Sequence, residues 1–176
     1  MDAMFWTIRL AMLLYAAALA LSLARRTRAA RLPWTLACTL LWAHVGLAYH
    51  HVHGWSQTHA LRHTAEQTFA LTGVRSGAGV YLNYATMLVW AADVAWWWIV
   101  GHAAYTRRPR WVAGLVHGLL LFMAVNAAIV FAPPPTRAAG IAVAAVLVVV
   151  GIAARAARIS AISRPARLTQ RPRAAK

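Results

Sequence analysis

Five of the chain's eight histidines stand between Tyr49 and Glu66, in the run Tyr-His-His-Val-His-Gly-Trp-Ser-Gln-Thr-His-Ala-Leu-Arg-His-Thr-Ala-Glu. Imidazole titrates near neutral pH and is the commonest metal ligand, so such a concentration points to metal binding or to proton sensing. His59, His63 and Glu66 follow at i, i+4 and i+7, which on a helix places two imidazoles and a carboxylate along one face. His50 or His53 can complete the shell. This donor set suits zinc, iron, copper or manganese, and a catalytic site built from it would keep one position open for water or substrate. The bland reading of the same residues is a polar, pH-responsive cap at the end of a helix.

Other polar residues interrupt apolar surroundings. Asp93 stands in the middle of a hydrophobic stretch, where an ionised carboxylate costs at least about 2.5 kcal/mol in lipid and needs a partner. His44 is expected at a similar depth, so the two form a candidate buried pair, either a functional site or a polar staple between helices. His102 and His117 flank a short Arg-rich turn at comparable depth and form a candidate axial pair for haem iron. Tyr81, Asn83, Tyr84 and Asn126 are expected at the level of the histidine cluster, where they can act as its outer supporting shell.

The elements that must carry these groups are membrane helices. The chain has 176 residues, 61% of them hydrophobic and 12% charged, with a mean hydropathy of +0.55, a balance that fits lipid better than water as the solvent. Crossing the hydrocarbon core takes about 20 mostly apolar residues, and the stretches 4–24, 34–53, 80–103, 111–132 and 138–159 meet that need. Their apolar runs are continuous and rich in Ala and Leu, so the expected fold is an all-α bundle of about five transmembrane spans, without the alternating polarity of a membrane barrel. Residues 1–160 form a single transmembrane domain, with an outer connection at 54–79 that can lie on the surface as an amphipathic helix. Residues 161–176 are expected to be a basic, disordered cytoplasmic tail. The apolar run at the N-terminus reads as a retained first span, since it lacks the basic start of a cleaved signal.

Net charge is +15, with Asp2, Glu66 and Asp93 the only acidic residues. Arg25, Arg26, Arg28 and Arg31 follow the first span, Arg107, Arg108 and Arg110 the third, and the tail is basic. The other side receives only Arg9, Arg62, Arg75 and Arg137. The positive-inside rule then orients the chain with its N-terminus out and its C-terminus in, as in a bacterial inner membrane. Anionic lipid headgroups at the cytoplasmic face are the expected partners of the arginines, with a membrane protein or a second copy as further partners; no basic face suited to specific nucleic-acid binding is evident. Trp6, Trp34, Trp55, Trp111 and the run 96–98 read as interfacial anchors, Gly114 and Gly118 as a helix-contact motif, and Cys38 as packing.

The stretch from Ala48 through Trp55-Ser56, His63-Thr-Ala-Glu66 and Tyr81-Leu-Asn-Tyr84 to Trp90-Ala-Ala-Asp93 and Trp96-Trp97-Trp98 resembles small bacterial multi-pass membrane proteins without an established activity. The resemblance covers roughly 44–98 and implies that the outer segment and the Asp93 helix form the core of that group. His50-His51 and the His59, His63 pair also resemble the histidine boxes of membrane oxygenases, but those enzymes need several boxes on the cytoplasmic side. No Gly-rich phosphate loop, Ser-His-Asp order or CxxC pair is present. The expected function is therefore that of an integral membrane protein with a His/Glu site for a transition metal or haem at its outer face. The alternative is an accessory, scaffold or pH-sensing protein using the same polar surface.

Overall fold

The computed structural model describes residues 2–162, and within them every regular element is helical. The order is α1 (Asp2–Leu23), α2 (Thr27–Ala48), α3 (Gln57–Thr72), α4 (Gly79–Thr106), α5 (Arg110–Val125) and α6 (Pro134–Ile162). Helices α2 and α5 each run on into one wider turn of π-helix, Tyr49–His53 and Asn126–Val130. The all-α expectation holds for these residues. Most of the expected tail, residues 163–176, lies outside them.

Three helical stretches are long and apolar enough to cross a membrane: Ala3–Leu23, Arg110–Val130 and Pro134–Ala157, with mean hydropathies of 1.8, 2.0 and 2.3. Helices α2 and α4 are also long, but polar and indole side chains along them, some buried and some exposed, lower their hydropathy. Large apolar side chains remain in the open on the long helices, among them Leu13, Leu88, Ile99, Leu115, Val149 and Ile152. Patches of that extent are rare on water-soluble monomers and compatible with a surface that faces lipid.

The closest packing is between α1 and α2, where small residues permit it: Ala11 and Ala18 on one helix, Ala30 and Ala37 on the other, all buried. Around that seam Tyr15, Trp34, Trp90, Trp97, Tyr105, Val116 and Leu120 build an aromatic-rich core shared by α1, α2, α4 and α5. Tyr15, Trp34 and Trp90 meet with centroids 5.2–5.8 Å apart in tilted and edge-on geometries, as ring quadrupoles favour. Trp34 and Trp97 are therefore core residues and not the interfacial anchors their position suggested, whereas Trp6, Trp55 and Trp111 are exposed. Among the described residues nothing lies within 4 Å of a Cβ built at Gly114 or Gly118, so these residues make no use of the expected contact motif.

Helix α4 does not continue straight to its end. Gly101 has φ 76° and ψ 169°, a combination essentially restricted to glycine, and the helix breaks there. The segment before the break, 79–100, is about 33 Å long at 1.5 Å per residue, and the segment after it turns back along the bundle. Arg137 is exposed, and its guanidinium donates to the carbonyls of Ile129 and Ala132 at 2.9 and 3.1 Å, satisfying acceptors that follow α5.

Candidate functional site

The α-helical part of α2 ends at Ala48, and the π-turn that follows closes on Gly54 and Trp55, both in the left-handed region at φ 55° and 59°. Two successive left-handed residues reverse the chain. Ser56 then caps α3, its hydroxyl accepting from the His59 amide at 3.2 Å, which satisfies one of the free N–H groups of the first turn. The reversal lays His53 over the start of α3.

The result is a group of three imidazoles. His53 and His59 approach through their Nδ1 atoms at 3.1 Å, with centroids 5.3 Å apart. His63 lies one turn further along α3, its centroid 5.6 Å from that of His53 and 6.3 Å from that of His59. Its Nε2 meets the Gln67 amide at 3.1 Å. Because a neutral imidazole has one N–H and one lone pair, a hydrogen bond between His53 and His59 requires opposite tautomers at the two Nδ1 atoms.

Two of the expected ligands are absent from this group. Glu66 is exposed and stands about 10.5 Å along the axis beyond His59, and it is not drawn into the group in this structure. His50 is exposed and packs edge-on against His51 with centroids 4.7 Å apart. Among the described residues no three His, Cys, Asp or Glu side chains already converge as a metal-ligand set.

The expected supporting residues divide in the same way. The hydroxyls of Tyr49 and Tyr84 meet each other and each lies within hydrogen-bonding reach of Gln57 Oε1, at 2.7 and 2.5 Å, so that their two protons are shared among three contacts tying the π-turn, α3 and α4 together beside His53. Asn83 and Tyr84 line a cavity of 380 Å³ that His53 also lines. Tyr81 is mostly exposed, and Asn126 is bonded back to the Phe122 carbonyl at 2.8 Å.

Asp93 is not paired with His44. Its Oδ2 accepts from Trp34 Nε1 at 3.0 Å and from the Tyr105 hydroxyl at 2.7 Å, and its Oδ1 forms an ion pair with Arg108. Tyr105 and Arg108 lie 12 and 15 residues beyond Asp93. On a straight helix those separations would be about 18 and 22 Å, so the contacts exist only because α4 turns back at Gly101. The same reversal stacks Tyr105 on Trp97, with centroids 4.0 Å apart and planes 4° from parallel. His44 stands ten residues, about 15 Å, from Trp34 along α2, and its Nδ1 bonds to the Met4 carbonyl at 2.9 Å. Arg108, counted in the sequence among the basic residues of the inner face, is thus internal, with its side chain 6% exposed and that of Asp93 1%.

The candidate haem pair also separates. His102 meets the Thr27 hydroxyl through Nε2 at 3.3 Å and lies against Trp97, whereas His117 packs edge-on to Trp34. His117 lines a cavity of 260 Å³ with Trp97, Tyr105 and Arg108, and His102 does not reach it. The two histidines do not face one space from opposite sides.

The contribution of Trp34, Tyr105 and Arg108 carries no local signal in the sequence. Only the strong demand of a carboxylate in apolar surroundings for partners pointed to such groups, and Gly101 is the one residue that lets the chain turn back to supply them. No family model matches the chain, and no curated protein or solved structure matches it either.

Proposed function

We propose that the chain is a multi-pass protein of the bacterial inner membrane that binds a divalent transition metal, zinc by donor type, at an imidazole site on its outer face. The observation that carries this reading is the 3.1 Å approach of His53 Nδ1 to His59 Nδ1. Two nitrogens bound tetrahedrally to one zinc at about 2.0–2.1 Å lie about 3.3 Å apart, so the two rings need little movement to receive the ion. His63 supplies a third nitrogen by rotation of its side chain away from Gln67, and a fourth position stays open to water.

In this reading α1, α2, α4 to its break, α5 and α6 cross the bilayer, with the N-terminus and α3 outside. The inner ends then carry Arg25, Arg26, Arg28, Arg107 and Arg110, which meet anionic headgroups. The Asp93 network serves as an internal staple, because each of its carboxylate oxygens already has a donor within the chain.

Elemental analysis of the detergent-purified chain, made without a polyhistidine tag and loaded with zinc before extensive dialysis, tests the site. One zinc per chain is expected, lost in His53→Ala and His59→Ala and retained in Glu66→Ala. A protein that keeps no zinc, or whose zinc survives both histidine substitutions, contradicts the proposal and favours the accessory reading.

A further inference from the structure

The 380 Å³ cavity beneath the imidazole group shares His53 with the metal site, but the donors considered below, Tyr15 and Trp90, lie outside that group. It lies among α1, α2, α4 and α5, with α3 contributing Ala60 and Thr64, and its volume falls within the roughly 300–1,000 Å³ typical of small-molecule sites. Its walls are mainly apolar, with Met12, Met87 and Met123 among them, and methionine adapts its shape to a guest. Two residues that line it are nine-tenths or more buried and carry unpartnered polar atoms: the Tyr15 hydroxyl and Trp90 Nε1, with the residues 3% and 5% exposed.

An indole N–H can only donate, whereas a phenol hydroxyl can donate or accept, so both groups can donate to one ligand oxygen. Leaving either group unpaired costs free energy that a ligand acceptor recovers. The Tyr15 and Trp90 rings also meet edge-on beside Trp34, so this wall offers aromatic faces next to its donors. Because His44 Nδ1 bonds to a carbonyl, it must carry the proton, which leaves Nε2 as an acceptor on another lining residue. The occupant that these features select is apolar and planar, with carbonyl oxygens when oxidised and hydroxyls when reduced.

We infer that the cavity between α1, α2, α4 and α5 binds a lipid-soluble quinone, with the ring carbonyl accepting from Tyr15 and Trp90. The inference concerns binding only and does not depend on metal at the histidines. The probe is 2,3-dimethyl-1,4-naphthoquinone, whose substituted ring carbons do not add thiols such as Cys38. Its hydrocarbon counterpart, 2,3-dimethylnaphthalene, controls for partition into apolar space. Equilibrium dialysis of the full chain in lipid nanodiscs, corrected by empty nanodiscs, should show saturable quinone binding that is at least about threefold weaker in Tyr15→Phe and in Trp90→Phe. The hydrocarbon should bind less tightly to the unaltered chain and equally to the variants. Both substitutions remove a polar atom that has no partner, and Tyr15→Phe keeps the ring, so unfolding is readily excluded by an unchanged melting curve. Absence of saturable binding, equal affinity for quinone and hydrocarbon, or unchanged quinone affinity in both variants would overturn the inference, the first leaving water or lipid chains as the occupant.

Discussion

At the scale of single residues, the fate of Asp93 decides how the polar core is to be understood. A carboxylate with 1% of its side chain exposed is tolerated because Trp34, Tyr105 and Arg108 supply three donors. Removing the cation while leaving the carboxylate is the costly change: Arg108→Met should lower stability by about 3–5 kcal/mol, read as an earlier melting transition in detergent. Adding Asp93→Asn to that variant should restore much of the loss, because the uncompensated charge is then gone; a double variant less stable than Arg108→Met would show that the pair does not act through charge. How far these residues could be read beforehand follows from the range of the interactions. His59 and His63 were legible as neighbours because i, i+4 spacing is a property of one helix. Glu66 was grouped with them on angular position alone, which ignores the rise along the axis. Trp34 was taken for an anchor because nothing local distinguishes an indole at the membrane interface from one that donates to a buried acid.

At the scale of elements, hydrophobic runs placed the helices well and their interruptions poorly. The expected stretch 4–24 corresponds to α1 at Asp2–Leu23, and 111–132 to α5 with its π-turn. Helix α2 begins seven residues before its expected start at 34, so Arg28 and Arg31 belong to the helix and not to the connection. Arg31 lays its guanidinium 3.5 Å from the ring centre of Trp98, a cation–π contact between α2 and α4. The break in α4 escaped because a single glycine in an apolar helix is common, and what makes Gly101 different is the distant demand of Asp93 for Tyr105 and Arg108. Gly101→Ala is therefore expected to destabilise by about 1–3 kcal/mol through backbone strain alone. The substitution should also change the near-ultraviolet dichroism of the stacked Trp97 and Tyr105 pair. An unchanged spectrum and melting curve would mean that the reversal does not depend on the left-handed conformation at that residue.

For the whole molecule, the exposed apolar surface is compatible with a lipid environment, and under the proposed orientation the arginines of the connections cluster on one side. Soluble packing would bury Leu88, Ile99 and Ile152, whereas lipid leaves them at the surface at no cost. Three of the five expected spans correspond to helices long and apolar enough to cross a membrane, and α2 and α4 fall short because polar and indole side chains interrupt their apolar runs. The central claim is that the bundle crosses the membrane so as to hold the imidazole group outside and the turn after α1 inside. It is tested most directly by a pair of cysteine substitutions, Thr58→Cys at the start of α3 and Ala24→Cys in that turn, each made in a chain carrying Cys38→Ala. The two positions are exposed, and Cys38 is buried. In cells whose outer barrier has been opened but whose inner membrane is intact, a membrane-impermeant maleimide should label Thr58→Cys, and should label Ala24→Cys only after the inner membrane is permeabilised. Labelling of both before permeabilisation, or of Ala24→Cys alone, would contradict the account.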